Sequence, residues 1–190
     1  QVITANPMTA QERRTVASLS LLYCFRMLGL FMVLPLLALY AADLSDATPT
    51  LIGLAMGMYG LANALLQIPF GWLSDKVGRK PVIIAGLVIF AVGSIIAGMA
   101  DSVMGIIVGR TLQGAGAISS TLMALVADLT REEQRTKAMA VVGMSIGLSF
   151  AVALVLGPVL AAVGGLPTVF WFTAALAGSG IVVLILLVPP

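Results

Sequence analysis

The chain has 190 residues, of which 60% are hydrophobic and only 9% are charged. Soluble domains are roughly half apolar and about a quarter charged, so this composition excludes an ordinary soluble protein and indicates an integral membrane protein. Because the sequence contains no His and a single cysteine, Cys24, it offers no zinc-type ligand spacing and no disulfide within the chain.

Six stretches are apolar over the length of about 20 residues that a helix needs to cross a bilayer. They lie at about 16–40, 50–72, 81–100, 103–127, 137–163 and 167–188. Residues 1–14 include Glu12, Arg13 and Arg14 and have no apolar core, which is typical of a polar tail and not of a signal peptide. The sequence therefore predicts an all-α integral membrane protein, with a tail at 1–14 and one six-helix domain at 15–190.

Residues at the edges of the spans predict where helices begin. Thr48 followed by Pro49 is suited to start span 2, and Pro167 is suited to the first turn of span 6. Thr130 and Glu133 have the spacing of a capping box, which predicts the start of the helix leading into span 5.

The basic residues predict the orientation of the chain. Eight of the ten lie in connectors on one side: Arg13, Arg14, Lys76, Arg79, Lys80, Arg131, Arg135 and Lys137. The opposite connectors hold Asp43, Asp46 and Asp101 and no Lys or Arg. By the positive-inside rule, both termini are expected in the cytoplasm. Topology thus accounts for these basic residues, and no nucleic-acid partner is indicated.

The two remaining basic residues, Arg26 and Arg110, lie inside spans 1 and 4. A guanidinium in the membrane interior costs at least a few kcal/mol, so it normally faces protein or a water-filled cavity. Polar residues recur at helical spacing on spans 2 and 4, which predicts polar faces turned towards a wet cavity. The candidate cavity residues, for substrate binding or proton coupling, are Arg26, Tyr59, Asn63, Gln67, Arg110, Gln113 and Thr121. The alternatives are hydrogen bonding between helices for the amides and snorkelling to the interface for the arginines.

The openings of spans 1 and 4 are similar. Residues 26–29 (RMLG) and 110–114 (RTLQG) share an arginine and a nearby glycine, yet the two spans enter the membrane from opposite sides. This similarity predicts an inverted repeat of three plus three helices, the architecture of one half of many secondary transporters. Span 5 is rich in small residues and contains Gly147, Gly157 and Pro158, which favour close helix approach and a bend.

Four segments resemble the major facilitator superfamily. The segment "GWLSDKVGRKPVI" (71–83) resembles its loop 2–3 signature, and "GRTLQGAGAISS" (109–120) resembles its helix 4 motif. The segments "GLSFAVALVLGPVLAA" (147–162) and "RMLGLFMVLPLL" (26–37) are similar to helices 5 and 1 of the drug:proton antiporter branch, and within it to YajR-type transporters. The resemblance covers essentially the whole chain. One departure is that Ala161 and Ala162 stand where the antiporter motif often has a glycine pair.

The resemblance implies the amino-terminal half of a twelve-helix transporter in a bacterial inner membrane, with no enzymatic activity and no cofactor or metal. It implies a cytoplasmic conformational switch that holds the outward-facing state, with Arg79 paired to Asp128. The switch residues are Gly71, Asp75, Lys76, Gly78, Arg79, Lys80 and Asp128. It also implies that Arg110 assists proton coupling and that Gly147, Gly157 and Pro158 form a helix 5 interface. The expected partners are the bilayer, a small-molecule substrate, a proton, and either a further six-helix half or a second copy.

The sequence is compatible with three functions. The first is proton-coupled efflux of hydrophobic or amphiphilic small molecules by alternating access. The second is transport of an anionic organic solute by Arg26 and Arg110, because no Asp or Glu lies in the middle of a span. The third is a six-helix membrane module that does not transport.

Overall fold

A computed structural model describes residues 7–44 and 46–188, and every regular element within them is an α-helix. The helices are α1 (Ala10–Ala41), α2 (Pro49–Val77), α3 (Arg79–Met99), α4 (Val103–Ala115), α5 (Ser119–Leu129) and α6 (Glu132–Leu187). By length and hydropathy, five helical segments in this part of the chain could cross a membrane, with α4 and α5 together forming one crossing of 27 residues.

The 56-residue helix α6 is two membrane crossings joined by a break at Gly164 and Gly165. Gly165 has φ of +74°, a conformation that residues with a Cβ rarely adopt, so a glycine is required at this turn. The two parts of α6 run in opposite directions along α1. The contacts that show this are Ser149 with Cys24 and Gly157 with Met32 before the break, and Thr173 with Gly29 and Gly180 with Leu22 after it. The described part of the chain therefore makes six crossings, as the sequence predicts.

Span 4 is interrupted, which the sequence does not predict. Helix α4 ends at Ala115 and α5 begins at Ser119, so the expectation of one continuous helix over 103–127 is wrong at residues 116–118. Gly114 and Gly116 lie against the backbone of neighbouring helices, and an added Cβ would lie 2.2 Å from the Tyr59 carbonyl oxygen and 2.4 Å from that of Gly86, respectively. The break therefore lies where α4 packs backbone to backbone against α2 and α3.

The starts of α2 and of the second part of α6, where Pro167 follows the break at Gly165, agree with the sequence prediction, whereas the starts of α1 and of the first part of α6 depart from it. Thr48 Oγ1 accepts a hydrogen bond from the Leu51 amide, as predicted. The capping box predicted at Thr130 is wrong, because the Thr130 hydroxyl donates to the Val126 carbonyl and the residue before α6 is Arg131. A capping box forms instead between Thr9 and Glu12, and it starts α1 within the predicted tail.

The six crossings bring three basic chain segments to one end of the bundle, hereafter the basic face: the start of α1, the α2–α3 turn and the α5–α6 turn. Helix α6 also ends on this face. Ion pairs between Arg79 and Asp128 and between Arg131 and Glu12 join these segments. At the opposite end, Asp46 accepts a hydrogen bond from the Val103 amide and thereby caps α4. The predicted segregation of basic connectors to one end is present in the fold.

Candidate functional site

Arg26 is held in the interior by oxygen atoms from two other crossings. Its side chain is buried, with the residue 2% exposed. Nη1 donates to the Gly116 carbonyl at 2.6 Å, while Nη2 donates to the Tyr59 hydroxyl at 3.1 Å and to Asn63 Oδ1 at 3.0 Å. Gly116 lies in the break between α4 and α5, so the break supplies a carbonyl oxygen that a continuous helix would use for itself.

Arg110 is also buried, with the residue 1% exposed. Its Nε donates to the Ala55 carbonyl at 3.2 Å, and its Nη1 donates to Gln113 Oε1 at 3.1 Å. Gln113 in turn donates to the Ser94 hydroxyl at 2.8 Å, which ties α4 to α3. Arg110 is therefore embedded in protein and does not reach the interface by snorkelling.

Tyr59 connects the two arginines. We call Arg26, Tyr59, Asn63, Arg110 and Gln113 the arginine cluster. The Tyr59 hydroxyl accepts from Arg26, and the Arg110 guanidinium lies 4.8 Å from the centre of the Tyr59 ring. No ion pair to either arginine occurs within the described part of the chain, and Arg26 Nε and Arg110 Nη2 lack a hydrogen-bond partner there. The cluster therefore carries positive charge together with two guanidinium nitrogens that have no hydrogen-bond partner among the described residues.

The two remaining predicted cavity residues, Gln67 and Thr121, differ in their contacts. Gln67 donates to Asn63 at 3.3 Å, and its Oε1 accepts from the Ser120 amide and hydroxyl at 3.2 and 3.0 Å. Thr121 is fully buried, and its hydroxyl has no partner among the described residues. The side chains of the arginine cluster converge on one another between helices, while Asn63 and Gln67 are half-buried. That these polar faces open onto a wet cavity stays a prediction.

The basic face carries the predicted ion pair of Arg79 with Asp128, with 3.0 Å between Nε and Oδ2. Arg79 Nη1 also donates to Asp75 Oδ1 and to the Ser74 hydroxyl, each at 2.6 Å. We call Ser74, Asp75, Arg79 and Asp128 the switch cluster. The carboxylates raise the pKa of Arg79 above its ordinary value, with Asp128 making the largest contribution, so this side chain stays charged.

Gly78 lets the switch cluster form, since its φ of +103° closes the turn between α2 and α3. Gly71 contributes its carbonyl, which accepts from the Ser74 hydroxyl at 2.7 Å. The sequence reasoning missed Ser74, which is buried; its place five residues before Arg79 is the only signal that could have indicated it.

The other predicted switch and interface residues lie elsewhere. Lys76 lies over the Trp72 ring at 5.6 Å, and Lys80 donates to the Val188 carbonyl, so neither pairs with an acid of the switch cluster. Gly147 is exposed with no neighbouring atoms where a Cβ would lie, and Pro158 is exposed on the same crossing. Gly157 is different, because it packs against Met32 and Leu36 of α1.

A second link on the basic face was missed from the sequence. Glu12 accepts from the Arg131 backbone amide at 3.0 Å and from Arg131 Nε at 2.9 Å. The Arg131 amide, followed by the capping bond from Thr9, lowers the pKa of Glu12 below its ordinary value. This link fixes the start of α1 to the α5–α6 turn, three residues beyond Asp128.

The family model of the Major Facilitator Superfamily matches residues 19–190. The chain belongs to the major facilitator superfamily. It is 54% identical over 182 residues to the inner membrane transport protein YajR of Escherichia coli, covering 96% of this chain and 40% of that protein. It is 42% identical, over 96% of this chain and 47% of the relative, to an uncharacterized transporter of Buchnera aphidicola. The chain thus spans less than half the length of these curated relatives.

The fold agrees with this membership. A crystal structure of the human organic anion transporter MFSD10 superposes with a TM-score of 0.77 at 22% identity, covering 95% of this chain and 48% of that one. At this identity, the match establishes the fold alone. The chain is thus a six-crossing part of a membrane transporter fold, and its relatives are transporters and not enzymes.

Proposed function

We propose that this chain forms one half of a secondary active transporter that exports hydrophobic or amphiphilic small molecules in exchange for protons. The main support for the proposal is the switch cluster, in which Arg79 joins the α2–α3 turn to the end of α5. An ion pair that closes one face of the bundle can hold one state of an alternating-access cycle and release it when the pair separates.

The strength of the switch cluster suits a reversible device. The Asp75 and Asp128 side chains are 62% and 50% exposed, and exposed pairs contribute only about 0–1 kcal/mol. Binding energy from a substrate or a proton can therefore separate them.

The substrate class is supported by the outward faces of two crossings. Helix α2 exposes Leu61, Leu65 and Ile68, and the first part of α6 exposes Leu148 and Val155. We infer that these faces meet lipid, a further six-helix half and an apolar substrate at different points of the cycle. The antiporter-like sequence of span 5 favours efflux over uptake.

A second candidate function is transport of an anionic organic solute. The arginine cluster favours it, because two buried guanidiniums have no carboxylate partner within residues 7–44 and 46–188 and each retains an unused N–H donor. An anion reaching the cluster would compensate that charge, whereas a lipophilic cation would be repelled.

Transport by the full-length protein in proteoliposomes tests both candidates. Under proton-coupled efflux, an imposed pH gradient drives accumulation of a lipophilic cation, and collapsing the gradient abolishes it. Under the second candidate, organic anions compete for transport and Arg26→Ala removes that competition. No transport of either probe class, by protein that binds neither, would favour the third possibility, a six-helix module that does not transport.

We also propose that the basic face is cytoplasmic, with both termini on that side. The support is the positive-inside distribution of Lys and Arg, which the fold gathers at one end. Labelling of single cysteines at positions 13 and 101, in a protein from which Cys24 and any other native cysteine have been removed, tests it in intact cells. Only the cysteine at position 101 is expected to react with an impermeant reagent, and the reverse pattern would overturn the orientation.

A further inference from the structure

A groove on the basic face lies apart from both clusters. It has a volume of about 780 Å³ and lies between the start of α1, the start of α3 and the end of α6. Its lining residues are Ala10, Gln11, Arg14, Lys80, Ile185, Leu186 and Val188. The volume falls within the range of about 300–1,000 Å³ typical of small-molecule clefts.

The groove is positively charged. Arg14 and Lys80 are its charged lining residues, and no carboxylate lines it among the described residues. The nearest acids in the sequence are engaged elsewhere, since Glu12 binds Arg131 and Asp75 binds Arg79. An anion entering the groove therefore meets two cations and no carboxylate of the described residues.

Both cations retain donors for a ligand. Arg14 Nη2 donates to the Leu186 carbonyl at 2.9 Å, and Lys80 Nζ donates to the Val188 carbonyl. These bonds fix the two side chains at the end of α6, where a positive charge is favoured. A guanidinium has five N–H donors and an ammonium has three, so most of their donors remain available.

The spans predicted from the sequence indicate the depth of the groove in the membrane. Arg14 comes two residues before the first apolar span and Lys80 one residue before the third, so we expect their charges at the level of the lipid headgroups. Directly beside them, Ile185 and Leu186 are 57% and 66% exposed at the end of α6. Charge at the headgroup level with exposed apolar side chains beside it matches an amphiphile with an anionic head.

We propose that this groove binds an anionic phospholipid, with the phosphate held by Arg14 and Lys80 and an acyl chain lying against Ile185 and Leu186. Basic pockets between transmembrane helices on the cytoplasmic side bind anionic headgroups by the same physical means. The lipid would link the starts of α1 and α3 to the end of α6. This site is independent of the transported substrate.

The test is binding of phosphatidylglycerol to the full-length protein in micelles of a neutral detergent, measured by native mass spectrometry. Phosphatidylcholine supplies the same chains with a neutral headgroup, and inorganic phosphate supplies the anion without chains. Phosphatidylglycerol is expected to bind at least ten-fold more tightly than either. Equal competition by inorganic phosphate would overturn the proposal in favour of a free-anion site.

The decisive comparison is between two double variants that each remove two positive charges from the basic face. Arg14→Gln with Lys80→Gln should weaken phosphatidylglycerol binding by about 30-fold, at about 1 kcal/mol per basic residue. Arg13→Gln with Lys137→Gln is the control, because both residues are exposed and neither lines the groove. Equal losses of phosphatidylglycerol binding in the two double variants would show that the lipid responds only to the general charge of the surface. Unchanged binding in the Arg14→Gln, Lys80→Gln variant would show that the lipid does not occupy the groove.

A third variant tests the groove if the Arg14→Gln, Lys80→Gln variant does not fold. Gln11→Glu introduces a negative charge at an exposed lining position and leaves both bonds to the end of α6 in place. It should weaken phosphatidylglycerol binding by about five-fold and leave phosphatidylcholine binding unchanged. Unchanged binding of both lipids would contradict the proposal.

Discussion

Arg79 at the start of α3 contacts Asp128 near the end of α5, with 3.0 Å between Nε and Oδ2, although 49 residues separate them in the sequence. The contact joins the start of α3 to the end of α5 on the basic face. Since the Asp128 side chain is half exposed, the pair contributes little to folding stability and is suited to bias a conformational equilibrium.

Asp128→Asn is expected to shift the inward/outward balance of the full-length protein towards the state in which the basic face is open. The shift should be up to about five-fold, which corresponds to an exposed pair of about 1 kcal/mol. Distances between spin labels on the two faces measure it. Asp101→Asn, an exposed acid at the opposite end, is the control, and an unchanged balance in Asp128→Asn would refute the switch.

Tyr59→Phe is expected to destabilise the protein by about 1–3 kcal/mol. The substitution removes one acceptor from buried Arg26 and keeps the ring beside Arg110, and an unsatisfied buried donor has a cost of this size. The free energy of unfolding in mixed micelles measures the loss. Tyr40→Phe should change it little, because Tyr40 is 36% exposed and makes none of these contacts. Equal effects of the two substitutions would contradict the role of the Tyr59 hydroxyl.

Gly114→Ala is expected to lower stability by about 1–3 kcal/mol, since the new Cβ would lie 2.2 Å from the Tyr59 carbonyl oxygen and would force α2 and α4 apart. Gly143→Ala is the matched control. Gly143 lies within α6 with no atom within 4 Å of an added Cβ, so alanine there should be neutral or stabilising by up to about 1 kcal/mol. Thermal unfolding of both variants distinguishes close packing from a general effect of the substitution.

The link between Glu12 and Arg131 predicts a dependence of stability on pH. The pKa of Glu12 is lowered in the folded protein from an ordinary value of 4.5, so its stabilisation is complete above that value and is lost as pH falls through the folded pKa. The unfolding midpoint should therefore decline below about pH 4.5 less steeply in Glu12→Gln than in the original protein. Glu132→Gln, an exposed residue in the first turn of α6, should keep the original slope. Parallel curves for all three proteins would exclude a contribution from Glu12.

The candidate site could be predicted from the sequence where a short segment encodes it. The spacing of Asp75, Gly78 and Arg79 in one turn is local, and the turn geometry follows from a glycine with positive φ. The partners of Arg26 could not be predicted in this way. They come from the break after α4 and from α2. Periodicity within one helix does not predict which carbonyl of another helix lacks a hydrogen bond.

Composition and the distribution of charge by themselves determined the membrane class, the six crossings and the gathering of basic residues at one end, because hydrophobic length and connector charge act locally along the chain. Tertiary structure decided that span 4 is broken, that Arg26 and Arg110 are buried against Tyr59, and that Glu12 binds Arg131. These features depend on how closely the helix backbones approach, which the glycines at 86, 114 and 116 permit but do not specify. A buried guanidinium must find oxygen partners, and only the packed helices determine which oxygens lie within reach.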